Sequence, residues 1–181
     1  LGLFQHDVDV IWDLAPHEIS ILFHLIDDTP ISIMASGVDH FGNNLVDVAY
    51  LTLNYRENMI ANFHMNWLSP VKVRKILIGG TKKMIVFDDM EPSEKIKIYD
   101  KGVTVNNPED IHSSLVSYRL GDMYAPNISQ TEALGSEIKS FIDQINSDHE
   151  LSINSLLNGE SIIKVLEATK ISLAEKKLVM L

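Results

Sequence analysis

An aspartate and a histidine four residues apart, Asp13 and His17, lie in the segment Trp12-Asp13-Leu14-Ala15-Pro16-His17-Glu18-Ile19. Four residues is about one helical turn, so the two side chains share a face if the helix already runs through Asp13. A carboxylate that fixes one imidazole tautomer leaves the other ring nitrogen free to accept a proton, a common acid/base arrangement. The same residues admit plainer readings: Asp13 as an N-terminal cap, and His17 as a helix-start histidine with no chemistry. A metal site from Asp13, His17 and the nearby His6 or Asp9 is a third reading. It ranks last, since no second ligand pair at helical spacing accompanies it. No metal is therefore expected.

The elements around this pair follow from hydrophobic period. Residues 1 to 10 read as extended, and a helix opens at Asp13 or at Pro16, because proline is tolerated at the first helical position. Ile19, Leu22, Phe23 and Ile26 then recur at helical spacing. After Pro30 the period changes to two. A strand over 31–41 ends at the turn signal Gly42-Asn43-Asn44. In 47–55 one face carries Ala49, Leu51, Leu53 and Tyr55; past the turn Arg56-Glu57-Asn58, the next strand groups Ala61, Phe63, Met65 and Trp67. Its other face carries Asn62, His64 and Asn66, read as a solvent or interface face.

Further strands are expected at 71–78, 83–87, 95–99 and near Leu115 to Leu120, with Asp100-Lys101-Gly102 as a tight hairpin loop. Two helices close the chain. Their stripes are Leu134, Ile138, Phe141, Ile142 and Ile145, then Ile162, Ile163, Leu166 and Leu173. A helix, about seven hairpin-linked strands and two helices predict an α+β fold: an open, largely antiparallel (mixed) sheet with helices on one face. The outer sheet face would carry Tyr50, Phe63, Met65 or Trp67, depending on register, and an apolar outer face marks a partner surface.

The chain has 181 residues, 45% of them hydrophobic, which suits a single packed domain over 1–181 and excludes general disorder. A formal charge of -10 argues against nucleic acid and anionic membranes as partners. With no cysteine there is no disulfide framework or thiolate metal site, a composition that suits the cytoplasm. No apolar run approaches a membrane span, and no signal peptide is visible. The start at Leu1 rather than Met suggests a piece excised from a longer protein.

Residues 11–19 resemble the Asp-x-x-x-His signature of the glucose–fructose oxidoreductase/inositol dehydrogenase (Gfo/Idh/MocA) family. Three more segments match its C-terminal domain in order: Asn66-Trp67-Leu68-Ser69-Pro70-Val71-Lys72-Val73-Arg74; Asp88-Asp89 with the run 98–103; and the run 165–173. Members acting on nucleotide-linked or acetamido sugars look closest. The resemblance implies a C-terminal substrate-binding and oligomerisation domain of an NAD- or NADP-dependent dehydrogenase of sugars, nucleotide sugars or polyols. In such a protein a Rossmann domain precedes it and holds most of the cofactor. This chain has neither Gly-x-Gly-x-x-Gly nor Glu-Lys-Pro, both of which belong to that N-terminal half, and it carries Glu18 where Asp is common after the histidine.

By that resemblance His17 takes the proton of a substrate hydroxyl while hydride leaves the carbon, and Asp13 orients His17 or binds a hydroxyl. Trp67, Lys72, Arg74 and Tyr124 are the candidate substrate-binding residues. Lys72 and Arg74 would meet a phosphate or carboxylate, or are solvated strand cations; Tyr124 and Asn127 would lie in a loop near the site. Gly79-Gly80-Thr81-Lys82 is not expected to bind phosphate, because it opens a strand and not a helix. Expected partners are the sugar and a second copy of the chain, as a homodimer or homotetramer through the open sheet face. The isolated chain is expected to be inactive. The alternative is a non-catalytic binding or dimerisation module of the same fold.

Overall fold

The structure is a computed structural model that describes residues 5–100, 102–104, 117–119, 121–129, 131–146 and 156–181. It divides into two compact units, Leu1–Pro70 with Lys139–Leu181, and Val71–Ile138. The architecture is α+β, and every strand pairing is antiparallel.

In the first unit, helix α1 (Val10–Leu25) precedes strands β1 (Ser32–Val38), β2 (Val48–Asn54) and β3 (Ile60–Asn66). Helix α3 (Leu156–Glu175) and the short strand β10 (Val179–Met180) end the chain. The sheet order is β10-β1-β2-β3. Its register pairs Ala49 with Met65, Leu51 with Phe63 and Leu53 with Ala61, so the two alternating apolar sets expected from sequence fall on one face. That face packs under α1 and α3, where Ile33, Ala35, Leu51, Leu53, Ile11, Ile19, Val165 and Leu166 are buried. Phe63, Met65 and Trp67 belong to this inner side. The outer face instead shows Met34, Val38, Tyr50 and Ile60, with the Tyr50 and His64 rings stacked at 4.4 Å.

Helix α1 starts earlier than its proline suggests. Asp9 is the cap, its carboxylate accepting from the amides of Ile11 and Trp12, both at 3.0 Å. Asp13 is thus freed from capping. Pro16 lies inside the helix, where its missing N–H deprives the Trp12 carbonyl of its usual donor. The turn 56–58 forms as expected, with Glu57 and Asn58 both left-handed at φ 56° and 62°.

The stripe of α3 is more polar than its apolar residues suggested. Thr169 and Ser172 are fully buried, while Ile163 is 47% exposed. Strand β10 covers β1 only at Ser32 and Ile33. Beyond it, the Ala35 amide donates to Ser172 Oγ at 2.9 Å, and that hydroxyl donates to the Lys177 carbonyl at 2.6 Å. One hydroxyl therefore replaces the missing ladder and ties the end of α3 to the sheet.

Among the described residues, Tyr55 is the exception to good side-chain pairing: its hydroxyl is buried without a hydrogen-bond partner there. Burial, aided by the negative charge of Asp28, pushes the phenol from 10.0 up to about 12. A folded-state value above the unfolded one gives stability that is complete below pH 10 and lost as pH rises through about 12. Tyr55→Phe is expected to match or exceed wild-type stability at neutral pH, by up to about 1 kcal/mol. It should also flatten the alkaline fall by about 2–3 kcal/mol in urea melts compared across that range. A clearly destabilised variant at neutral pH would show that the hydroxyl is paired after all.

The second unit holds strands β4 (Lys75–Gly79), β5 (Met84–Asp88), β6 (Ile96–Tyr99) and β9 (Met123–Tyr124), ordered β4-β5-β6-β9. Strands β7 (Gly102–Thr104) and β8 (Ser117–Arg119) form a separate pair. The expected strand near 115–120 is thus described over 117–119, and Lys101 lies outside the described residues. Asp100 to Gly102 does not close a hairpin, because β6 pairs with β5 and β9 while β7 pairs with β8. The Asp100 amide continues the β6–β9 ladder to the Asp122 carbonyl at 2.8 Å. The approach is so close that a Cβ on Gly121 would lie 2.0 Å from the Asp100 oxygen. The strand expected from residue 71 begins at Lys75.

Helix α2 (Ala133–Asn146) carries its expected stripe, yet Leu134, Ile138, Phe141, Ile142 and Ile145 are 49–68% exposed. Among the described residues no helix is long and apolar enough to cross a membrane.

Candidate active-site corner

The first turns of α1 are anchored to the sheet by the Val10 amide, which donates to the Val46 carbonyl at 2.9 Å. This places Asp13, one turn on, beside the end of β3. The indole Nε1 of Trp67 donates to Asp13 Oδ2 at 2.9 Å. Trp67 reaches it because it continues the inward alternation of Ala61, Phe63 and Met65, the side facing the helices. A bond to a carboxylate is among the stronger neutral-donor hydrogen bonds, and it fixes one oxygen of Asp13 while leaving the other available.

His17 follows one turn later on α1, is exposed, and has no hydrogen-bond partner for its ring among the described residues. Asp13 therefore does not fix its tautomer; the carboxylate is engaged by Trp67 instead. What the corner offers is an oriented carboxylate and an open imidazole on one helix, able to hold a hydroxyl and take its proton. No group of three or more metal-binding side chains occurs among the described residues.

The other candidates belong to the second unit. Lys72 is exposed in the connection before β4. Arg74 Nη1 meets Asp89 Oδ2 at 3.3 Å, and Lys95 Nζ meets Asp89 Oδ1 at 2.9 Å. Lys95 above all, against some desolvation and with help from Arg74, holds Asp89 below the usual carboxylate range. Arg74 thus already has an acidic partner. Tyr124 is half exposed in β9, with Lys83 Nζ 5.9 Å from its ring centroid.

Two residues at the corner had escaped sequence reasoning. Asp47 is 1% exposed, and its main chain is held on both sides: its amide donates to the Val38 carbonyl and its carbonyl accepts from the Trp67 amide, each at 3.0 Å. Its carboxylate accepts from the His40 amide at 2.7 Å and lies 2.6 Å from His40 Nδ1. Asp39, next to His40, is turned into its own loop. Desolvation raises its carboxyl, but amide donors from Asn44, Gly42, Asn43 and Phe41 outweigh that and hold it low. The signal in the sequence is the pair His40 and Asp47 flanking the turn Gly42-Asn43-Asn44.

Residues 5–86 match the family model described as GFO/IDH/MocA C-terminal domain. No curated protein matches the chain. Among solved structures, it is similar to UDP-N-acetylglucosamine 3-dehydrogenase GnnA from Acidithiobacillus ferrooxidans, at 17% identity and TM-score 0.74, over 92% of this chain and 48% of that one. An NAD-binding protein from Listeria innocua aligns at 17% identity and TM-score 0.72, over 99% and 51%. An aldose–aldose oxidoreductase from Caulobacter crescentus, complexed with glycerol, aligns at 12% and 0.68, over 99% and 52%. These likenesses establish the shared fold, and the chain spans about half the length of each. The sequence match to the GFO/IDH/MocA C-terminal domain model thus covers residues 5–86, and the shared fold extends the likeness over most of the chain.

Proposed function

We propose that this chain is the substrate-binding domain of an NAD(P)-dependent oxidoreductase that interconverts a hydroxyl and a ketone on a sugar, nucleotide sugar or polyol. The reading is carried by the Asp13 carboxylate, pinned by Trp67 one turn before the open imidazole of His17. Asp13 holds a substrate hydroxyl through its free oxygen, and His17 accepts the proton of the reacting hydroxyl, which raises electron density on the carbon that loses hydride. The similar structures, a sugar-nucleotide dehydrogenase and an aldose–aldose oxidoreductase among them, favour this substrate class.

The described residues do not fit a dinucleotide. Their one Gly-Gly loop, Gly79-Gly80, joins β4 to β5 and meets no helix N-terminus that could bind a pyrophosphate. The chain's own contribution is therefore the proton, and a nicotinamide held by a second domain would take the hydride. On this reading the purified chain alone neither binds NAD(P) measurably nor reduces it. Turnover by the isolated chain would contradict it. The direct test is His17→Ala in a protein that pairs this domain with a dinucleotide-binding one.

We assign the outer face of the β10-β1-β2-β3 sheet to association between copies, in a cytoplasmic protein. Exposed Met34, Val38, Tyr50 and Ile60 support this, on the side of the sheet away from the helices. Tyr50→Lys with Ile60→Lys should shift the sedimentation of this chain from dimer to monomer. A wild-type chain that stays monomeric across micromolar concentrations would remove the assignment.

A further inference from the structure

We propose that His40, oriented by the buried Asp47, is a second hydroxyl-binding imidazole at the same corner, its Nε2 accepting a hydrogen bond. It would serve a hydroxyl of the polyhydroxylated ligand other than the one His17 meets. This rests on reading the corner as a substrate site, but its chemistry can be measured without substrate or cofactor. The Asp47 carboxylate is 1% exposed and spends both oxygens on His40, one on the amide and one on Nδ1. A carboxylate 2.6 Å from Nδ1 makes that nitrogen the proton donor, so the lone pair lies on Nε2. The imidazole is half exposed, so Nε2 is reachable.

Place and rigidity add to the case. The Trp67 amide donates to the main-chain carbonyl of Asp47 and its indole to the Asp13 carboxylate, which ties the two aspartates to one residue. Asp39, the nearest other acid in sequence, is turned toward the amides of its own loop and does not compete for the ring. In the arrangement assigned, the ligand hydroxyl donates a hydrogen bond to Nε2 and keeps its proton. The Nδ1 proton stays on the ring and is donated to Asp47 Oδ1, so Nε2 remains the acceptor. Asp47 is then a positioning residue. A role limited to clamping the loop would fix the same tautomer but would give a hydroxylated ligand no reason to shield Nε2.

The test uses nitrogen-resolved NMR of the imidazoles in the intact chain, together with carbethoxylation by diethyl pyrocarbonate at mildly alkaline pH. His40 is expected as a single Nδ1–H tautomer that modifies several-fold faster than His17, an exposed histidine with no carboxylate on its ring. D-glucose at high concentration is expected to slow modification of His40. Asp47→Asn should produce a tautomer mixture and lose the rate advantage, and His40→Gln should remove that one modified site. A mixed tautomer in the wild type, which needs no variant to fold, overturns the dyad, and so does a His40 rate no faster than that of His17. Modification unchanged by D-glucose overturns the assignment to a hydroxylated ligand. Unimpaired oxidation by a His17→Ala enzyme would instead sink the oxidoreductase reading and leave the tautomer result standing.

Discussion

His17→Ala, in a protein that joins this domain to a dinucleotide-binding one, is expected to lower the rate of hydroxyl oxidation by about 10²–10⁴-fold, the usual range for a positioned acid/base group. Affinity for the dinucleotide should be almost unchanged, because none of the described residues of this chain is placed to bind it. The loss should fall on kcat more than on KM, since the proton moves in the transition state while ground-state binding also draws on Asp13. Asp13→Asn should behave differently. The amide oxygen can still accept from Trp67, but the charge that favours a bound hydroxyl is gone, so KM rises alongside a smaller fall in kcat. Equal effects of the two substitutions on kcat alone would show that the residues act as one unit.

The second large effect concerns stability. Ser172→Ala removes the hydroxyl that accepts from the Ala35 amide and donates to the Lys177 carbonyl. The buried Ala35 amide then lacks a partner, while the carbonyl of the exposed Lys177 can turn to water. An unpaired buried amide costs about 1–3 kcal/mol, and a loss of that size is expected in urea unfolding. Thr169→Val is the control. Thr169 is equally buried, but its hydroxyl donates to the Val165 carbonyl of its own helix, at 2.7 Å, so removal leaves no main-chain donor unpaired. A change within about 1 kcal/mol is expected there. If both substitutions cost the same, the clasp between α3 and β1 contributes nothing beyond packing.

The fold was legible wherever one face of an element is buried. Alternation in β2 and β3 gave the inward set of Ala49, Leu51 and Leu53 against Ala61, Phe63 and Met65, because a register slip would expose all of them. It was less legible where two local signals competed. Asp9, Asp13 and Pro16 each suit a helix start, and the bond from Asp9 to the amides of Ile11 and Trp12 decided among them. Polar residues inside the core were invisible, since Ser172 and Thr169 interrupt an apolar stripe and are satisfied by partners distant in sequence or hidden in the helix. The apolar period of α2 marked a helix without saying that its stripe would be exposed.

At the candidate site, the placement of Asp13 and His17 one turn apart was legible because both lie on one helix, where spacing alone sets geometry. Trp67 as the partner of Asp13 was not, because that bond spans 54 residues and depends on how α1 lies on the sheet. The His40–Asp47 pair was hidden for a related reason. It follows from the β1–β2 register that sets Val38 against Val48 and so brings the two ends of the 39–47 loop together.

The central claim is that His17 takes the proton of the reacting hydroxyl. Chemical rescue tests it most directly: the rate of hydroxyl oxidation by the two-domain His17→Ala protein, measured with increasing free imidazole. The account predicts a slow variant whose rate climbs with imidazole, while the wild type does not respond. A variant that oxidises substrate as fast as the wild type, with or without imidazole, would contradict it.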